Sequence, residues 1–449
     1  MHRDCHGLEL TTESAAAAAA FGRAVSSYVA WRTDTMDHLN GALQADPEFA
    51  LPHAVKGILM LSLRKPALRA PAEKLLAAAR AARPPATDRE RHYIAALASL
   101  LERGIAGAVT RFEAIAAAHP HDLLALRLAQ FELFWIGEVA WMRDISERAA
   151  PVWGNADPGF GAFLAMRAFG LEETGSYVEA ERCGRRAIEL DPDDPWAAHA
   201  VAHVLVMQAR LGEGIEWCTA LSRNWSAANH IRHHNWWHLA LFHVEAGNRD
   251  AALAIYDTRL RDMDSPLMRA MPDFFVDIQN DAALLERLEL RGLDVGNRWS
   301  DVAELAAQRI GNHESPFTSA HCALALAAAG RFAEAEELVR AMQAFAGEDR
   351  GTLGPRYALA AIPAARAAIA HRRGEHDCVL EILWPARRNL WQMGGSHAQR
   401  DLFFQMLAAA AHRLARRDML TVFFEEMRGL GLAHLEERSS YADALAALG

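Results

Sequence analysis

The segment GSYVEAERCGRRAIELDP, residues 175–192, constrains the fold of this chain more than any other stretch. It opens with Gly175, carries small residues at Ala180 and Ala187, and closes with Pro192. Glycine permits a tight turn between helices, small residues let two helices approach closely, and proline cannot continue a helix. The segment therefore predicts a turn followed by the second helix of a helix pair.

The same signal, a glycine followed five residues later by an alanine, recurs along the chain. It returns at Gly247 and Gly330, with weaker copies at Gly212 and Gly374. The step from Gly175 to Gly212 is 37 residues and the next step is 35, which are one-repeat intervals for paired helices. Spacing of this kind is typical of a tetratricopeptide repeat, whose unit cannot bury its apolar face alone and stacks on its neighbours.

The predicted fold class is all-α, a tetratricopeptide-like α-solenoid that winds helix pairs into one right-handed superhelix over residues 1–449. The clearest repeats are expected at about 160–260 and 315–390, and the first helices should line the concave side. The composition agrees with this prediction, because hydrophobic residues make up 51% of the chain, charged residues make up 23%, and alanine, the best helix former, is abundant.

Net charge and cysteine spacing exclude several classes of function. The formal charge is −10 and no block of lysine and arginine stands out, so a nucleic-acid partner is not expected. The five cysteines lie far apart without a CxxC motif, which excludes a thiolate metal site and favours a reducing, cytoplasmic location. We recognise neither a signal peptide nor an apolar stretch that would cross a bilayer, so no membrane partner is expected.

The segment HIRHHNWWHLALFH, residues 230–243, holds five histidines and two adjacent tryptophans. Counted back from the turn glycines, five histidines of the chain fall at only two positions of the repeat. These are His203, His238 and His321, nine residues before Gly212, Gly247 and Gly330, and His199 and His234, thirteen residues before Gly212 and Gly247. The two positions lie four residues apart on a first helix, hence on one face, so imidazoles from adjacent repeats should converge in the groove.

A metal centre is one interpretation of these histidines. His199 with His203, and His234 with His238, form two i, i+4 pairs that offer four neutral imidazoles to Zn or Fe. The string HAVAH lacks the glutamate of a metalloprotease helix, so it does not indicate a peptidase. A structural interpretation is also open, in which the histidines bond to carbonyls and to one another and bind no ligand.

A polar pocket is the second functional interpretation. Trp236 occupies the position of the repeat's structural tryptophan and is assigned to helix packing, whereas Trp237 should face the groove. With the paired histidines, Trp237, Asn235 and His321 would line a pocket for a small polar or anionic molecule. Imidazoles there would donate hydrogen bonds or act as general acids and bases. Arg400, in the string GGSHAQRDLF, is predicted to reach the same groove.

The strings WAAHAVAHVLVMQARLGEGIEW and HHNWWHLALFHVEAGNRDAALAIYD resemble the tetratricopeptide repeat protein 38 family. That family carries an H-x-V-A-H-x-x-x-M helix, then an H-N-x-W-H-x-A-L helix, then a G-x-x-x-A-A-L-x-I-Y-D segment. Further matches run from RDCHGLELTTES near the start to GGSHAQRDLFFQMLAAAA near the end. The resemblance implies a soluble, cytoplasmic helical-repeat protein and supplies no reaction. Its motifs are dominated by groove-side polar residues rather than by packing positions.

Two classes of function follow from these observations. The chain carries no Walker A, G-x-S-x-G or dinucleotide motif, so the sequence leaves open whether it is an enzyme. The favoured prediction is a repeat protein whose His/Trp-lined concave pocket binds a small molecule, with acid–base or metal-dependent chemistry as its enzymatic form. The alternative is a non-enzymatic scaffold that binds a peptide in the groove. The bulky, nearly uncharged HHNWWH string favours a closed pocket over an open peptide channel.

Overall fold

The structure is a computed structural model that describes residues 2–82, 87–430, 432 and 434–449. Twenty-five α-helices occupy most of these residues. The first twelve are α1 (Ala15–Val29), α2 (Thr35–Ala45), α3 (Ala50–Ser62), α4 (Arg69–Ala81), α5 (Asp88–Leu101), α6 (Ile105–Ala118), α7 (Leu123–Trp135), α8 (Val139–Ala149), α9 (Phe160–Glu172), α10 (Tyr177–Leu190), α11 (Pro195–Met207) and α12 (Leu211–Leu221). The other thirteen are α13 (Ile231–Glu245), α14 (Arg249–Ile255), α15 (Pro266–Ala270), α16 (Phe275–Leu290), α17 (Trp299–Ala307), α18 (Pro316–Ala328), α19 (Phe332–Glu348), α20 (Gly354–Arg356), α21 (Ile362–Arg373), α22 (His376–Ala386), α23 (His397–Arg413), α24 (Arg417–Gly429) and α25 (Ala442–Ala446).

The remaining regular structure is short. Two strands near the N-terminus, β1 (His2–Arg3) and β2 (Glu9–Leu10), pair antiparallel. Segments of 3-10 helix lie at Pro66–Leu68, Ala150–Val152, Ser222–Ala227, Gly296–Arg298, Arg387–Met393, Leu435–Glu437 and Ser439–Tyr441, and π turns at Tyr256–Leu260 and Tyr357–Ala361.

Consecutive helices pack as hairpins, eleven of them in the part of the chain that the structure describes. The hairpins are α1/α2, α3/α4, α5/α6, α7/α8, α9/α10, α11/α12, α13/α14, α16/α17, α18/α19, α21/α22 and α23/α24. First helices also pack on one another, as α11 does on α9 and α13. This arrangement confirms the predicted all-α helical-repeat fold. None of the described helices combines the length and apolar character needed to cross a bilayer.

Two kinds of helix alternate along the stack. The second helix α10 buries only one stripe, formed by Ala180, Cys183, Gly184 and Ala187 at helical spacing. A Cβ at Gly184 would come within 2.6 Å of Val201 on α11, so glycine allows the two helices to approach closely. The first helix α11, in contrast, has all thirteen of its residues buried. First helices therefore form the interior, and polar side chains on them are removed from solvent.

The turns within the hairpins confirm four of the predicted glycines, Gly374 among them with φ of 75°, and correct a fifth. Gly175, Gly247 and Gly330 have φ of 81°, 80° and 74°, the left-handed conformation that glycine adopts most easily. The prediction of Gly212 as a turn residue is wrong, because Gly212 lies inside α12 and the turn residue is Ala209, with φ of 52°. The glycine spacing predicted the wrong turn residue because alanine takes the left-handed position in this repeat. The backbone strain of a residue with a Cβ there costs about 1–2 kcal/mol.

Helices far apart in sequence meet in the interior. The backbone carbonyl of Arg64 accepts hydrogen bonds from Arg309 and Asn312, at 3.3 and 3.0 Å. Arg356, at the C-terminal end of α20, pairs with Glu138 before α8 at 2.6 Å. The first helices therefore close on one another across the interior, and the histidines predicted to face a groove are buried.

Candidate functional site

Four of the predicted histidines converge in the interior between α11 and α13. His199 and His203 lie four residues apart on α11, and His234 and His238 lie four apart on α13, so each pair shares one helix face. One ring nitrogen of each histidine lies within 4.8 Å of those of the other three. The ring centroids of His203 and His238, on different helices, are 4.5 Å apart. These four residues are termed the histidine cluster below.

The cluster forms although the repeat register behind its prediction is wrong. His203 lies six residues before its turn residue, Ala209, whereas His238 lies nine residues before Gly247, so their repeat positions differ by three residues. Because an α-helix turns once in 3.6 residues, an offset of three nearly preserves the helix face, and the rings still meet. His321 shares the register of His238 but lies on α18, where its Nδ1 bonds to a carbonyl of its own helix at 2.9 Å. It is not part of the cluster.

A hydrogen-bonded partner outside the cluster sets the tautomer of one ring, and an acidic pair lies near a second. His234 Nδ1 lies 2.8 Å from Asn280 Oδ1 on α16, so Nδ1 donates and Nε2 keeps its lone pair. His203 Nδ1 lies 3.4 Å from Glu172 Oε2 and 3.7 Å from Glu173 Oε1, at the end of α9. Histidines that bind a metal have outer partners of this kind, which fix the tautomer and the ring orientation.

The cluster lacks hydrogen bonds that a purely structural set of histidines would need. Both ring nitrogens of His238, and Nδ1 of His199 and of His203, have no hydrogen-bond partner among the described residues. One hydrogen bond joins Nε2 of His199 to Nε2 of His203 at 2.9 Å. A buried polar group without a partner costs about 1–3 kcal/mol. The structural interpretation therefore leaves this cluster poorly satisfied, whereas an ion would engage the free lone pairs.

Burial keeps the cluster uncharged. It lowers the pKa of His203 and of His234 to about 4, because the charged imidazolium loses its hydration. The pKa values of His199 and His238 also lie well below the ordinary value, for the same reason first and then through neighbouring imidazoles. Neutral imidazole is the form that binds a metal ion, whereas an acid–base catalyst works best with a pKa near the working pH.

Two tryptophans form walls of the cluster. Trp196 stacks on His199, with 4.5 Å between ring centroids and 24° between planes. Trp237 stacks on His234 at 5.2 Å and 8°, and the guanidinium of Arg287 lies 5.5 Å from the Trp237 ring. Stacking restricts rotation of both imidazoles. Trp237, predicted to face the groove, thus lies against the cluster.

Two further predicted residues lie beside the cluster rather than in it. The Asn235 side-chain amide donates to the carbonyl of Pro195 at 3.0 Å, which fastens α13 to the start of α11. Arg400 on α23 donates to the carbonyl of Gly395, and its Nη2 lies 4.0 Å from Glu173 Oε2. Arg400 is therefore directed at the acidic pair behind His203.

Sequence reasoning missed that acidic pair and its amide counterpart. Glu172 and Glu173 are both fully buried, and burial raises the pKa of each carboxyl to about 8. Two adjacent acids at the end of an otherwise apolar helix, directly before the turn at Gly175, were the available signal. Asn280 gave no local signal, because it reaches His234 from a helix 46 residues further along the chain.

A cavity of about 390 Å³ lies beside the cluster. His199 and His234 line it, whereas His203 and His238 do not. Most of the wall is apolar or aromatic, including Met36, Trp31, Phe131, Phe134, Trp135, Trp196, Met271 and Phe274. Cavities of about this size or larger hold small organic molecules. A second depression, of about 540 Å³ along α10, contains arginines already paired with glutamates, such as Arg167 with Glu147 at 2.6 Å.

A smaller polar group adjoins the same cavity. His230 Nδ1 lies 2.6 Å and His233 Nδ1 lies 3.1 Å from one oxygen of Asp277 on α16. These three residues also bring ligand-type atoms within 4.8 Å of one another, and His230 lines the cavity. Because both imidazoles already share the same carboxylate oxygen, this group is better satisfied than the histidine cluster.

The comparisons with known proteins add one structural similarity. No protein-family model matches the chain. The chain is similar to the protein in the crystal structure of the yeast Tom70, with a TM-score of 0.39 and 14% sequence identity, over 95% of this chain and 87% of that one. A similarity of this size says nothing about a ligand or a reaction, and the helical-repeat fold rests on the helix pairs themselves.

Proposed function

We propose that the histidine cluster binds one transition-metal ion, Zn²⁺ or Fe²⁺, and that the adjoining cavity brings a small molecule to it. The observation that carries this proposal is the convergence of four buried, neutral imidazoles, four of whose ring nitrogens have no hydrogen-bond partner among the described residues. Zn²⁺ and Fe²⁺ both accept imidazole ligands. Metal binding is therefore favoured over acid–base chemistry by the imidazoles alone.

The residues around the cluster have separate tasks in this proposal. Asn280 orients His234 through a hydrogen bond at Nδ1, and Glu172 lies 3.4 Å from Nδ1 of His203, where it can orient that ring when an ion is bound. Trp196 and the other aromatic side chains exclude water and hold the apolar part of the small molecule. A bound ion of this type supplies Lewis-acid chemistry, provided that it accepts more ligands than the four imidazoles.

The apolar wall refines the ligand that the sequence predicts. A small, wholly polar molecule would leave most of the aromatic surface without a counterpart, so the ligand has an apolar body. The alternative function, a scaffold that binds a peptide, finds no support at these histidines, since they are at most 5% exposed. Peptide binding elsewhere on the surface stays a separate hypothesis.

Metal content is the decisive measurement. Protein prepared without an affinity tag or chelator should carry close to one Zn or Fe per chain by elemental mass spectrometry. The double variant His203→Gln/His238→Gln should lose the ion while its far-ultraviolet circular dichroism stays unchanged. His321→Gln is the matched control, because His321 is an equally buried histidine of a first helix and should keep the ion. Metal-free wild type that also fails to take up added Zn²⁺ or Fe²⁺ would contradict the proposal.

Predictions about architecture, family, location and excluded partners accompany this function. We propose that residues 1–449 form a single superhelix, which the hydrogen bonds between distant helices support. We propose membership of the tetratricopeptide repeat protein 38 family, because the histidines that carry the resemblance are those that converge. Cytoplasmic location, and the absence of nucleic-acid and membrane partners, stay predictions from the sequence.

A further inference from the structure

Arg127 on α7 is a buried cation at the wall of the cavity. Its side chain is 2% exposed, and its guanidinium lies beside two indoles that stack on each other, 5.0 Å from the ring of Trp31 and 5.2 Å from that of Trp196. Nη2 lies 3.4 Å from the carbonyl oxygen of Val29, a long contact. Nε and Nη1 have no hydrogen-bond partner among the described residues.

The charge of Arg127 has no direct counter-charge. Burial lowers the pKa of Arg127 to about 10, so the guanidinium stays protonated at neutral pH. The carboxylate of Asp194 acts on it from a distance, but that side chain caps α11 by accepting from the backbone N–H groups of Trp196 and Ala197. Buried arginines are nearly always paired, since an unpaired buried charge is strongly unfavourable.

The cavity itself is cationic. Two arginines, Arg32 and Arg127, are among the described residues that line it, and no aspartate or glutamate is among them. Arg127 is also close to the histidine cluster, because the indole of Trp196 stacks on His199 and lies 5.2 Å from the Arg127 guanidinium. A molecule bound to Arg127 would therefore lie along the aromatic wall within reach of His199.

We infer that the ligand of this cavity is an aromatic or similarly apolar molecule with one carboxylate, or an equivalent anionic group, which Arg127 binds through one of its free donors. Nε and Nη1 lie on opposite edges of the guanidinium, so a carboxylate oxygen accepts a single charge-assisted hydrogen bond from one of them. The aromatic side chains hold the apolar body, and the anion supplies the charge that Arg127 lacks. The inference rests on the proposed function for the use of this cavity, and it names the class of ligand.

A displacement assay tests the inference on the full chain. The fluorescent probe N-phenylnaphthylamine reports occupation of an apolar cavity, and naphthoate or its neutral isostere naphthamide displaces it. Wild type should prefer naphthoate by at least about tenfold, since a hydrogen-bonded charge pair at a buried site has at least this effect. In Arg127→Met this preference should fall to about twofold or less, with naphthamide affected little.

The control is Arg309→Met, which removes another buried arginine that does not line this cavity and should keep the preference. If Arg127→Met fails to fold, the preference of wild type for naphthoate over naphthamide tests the inference by itself. Absence of a naphthoate preference in wild type, its persistence in Arg127→Met, or failure of the probe to bind would each overturn the inference.

Metal content in the same preparations separates this inference from the metal proposal. Arg127→Met should keep the ion, and His203→Gln/His238→Gln should lose the ion yet keep the naphthoate preference. A wild type that neither carries metal nor takes up added Zn²⁺ or Fe²⁺, yet still prefers naphthoate, would overturn the metal proposal and support the anion site. A wild type with metal but no preference would overturn the anion site alone.

Discussion

His203 Nδ1 lies 3.4 Å from Glu172 Oε2, and neither side chain is exposed to solvent. The contact joins the end of α9 to the middle of α11 and directs the other nitrogen of His203, Nε2, towards His199. It thereby links the acidic pair to the histidine cluster. A partner in this position makes an imidazole a better and better-oriented ligand.

Glu172→Gln should weaken metal binding about 10- to 100-fold, the usual effect of removing an outer partner of a metal ligand. Competition for Zn²⁺ with a chromophoric chelator measures the affinity. Glu286→Gln is the matched control, because Glu286 is also buried and lies 2.8 Å from an imidazole, that of His371, away from the cluster. Equal loss of affinity in both variants would show that the effect comes from general destabilisation.

His238→Leu should stabilise the metal-free protein by about 1–3 kcal/mol, because it removes two buried nitrogens without partners and keeps an apolar side chain in their place. Denaturant unfolding in the presence of a chelator measures the change. In His321→Leu, which removes a ring that does make a hydrogen bond, the free energy of unfolding should fall instead. Destabilisation by both variants would favour a structural role for the cluster.

Acid should destabilise the fold through His321. Burial, with a smaller contribution from the charge of Arg287, lowers the pKa of His321 from 6.5 to about 4. Between these values the unfolded chain binds a proton that the folded chain does not, so stability falls as the pH falls. The loss is up to about 3 kcal/mol. Denaturant titrations at pH 7 and pH 4.5 should therefore show a smaller acid loss for His321→Leu than for wild type, and equal losses would contradict this prediction.

Ala415→Gly should raise the free energy of unfolding by about 0.5–1 kcal/mol. Ala415 is exposed and has φ of 52°, which strains a residue with a Cβ. Gly374→Ala tests the converse, since Gly374 has φ of 75° and an added Cβ would meet no atom within 4 Å, so only backbone strain changes. That variant should lose about 1 kcal/mol. Thermal unfolding of the two variants should shift in opposite directions.

Local patterns predicted the helical repeats and the two histidine pairs, because turn residues and i, i+4 spacing are properties of short segments. The exact register was not predictable from glycines, since Ala209 takes a position that glycine occupies in other repeats. The partners of the cluster were missed for a different reason. Glu172 and Asn280 come from other helices, and Arg127 is the one basic residue of a mostly apolar helix, so only the tertiary fold reveals what each of them faces.

The hydrogen bonds from Arg309 and Asn312 to the Arg64 carbonyl span about 245 residues of sequence. In an ordinary solenoid each repeat contacts only its neighbours, so folding can start anywhere and unfolding can stop between repeats. Contacts of such high contact order form late and slow the search for the native state. This chain should therefore fold slowly and unfold cooperatively, like a large globular protein. Truncation from either end should destabilise all of its repeats.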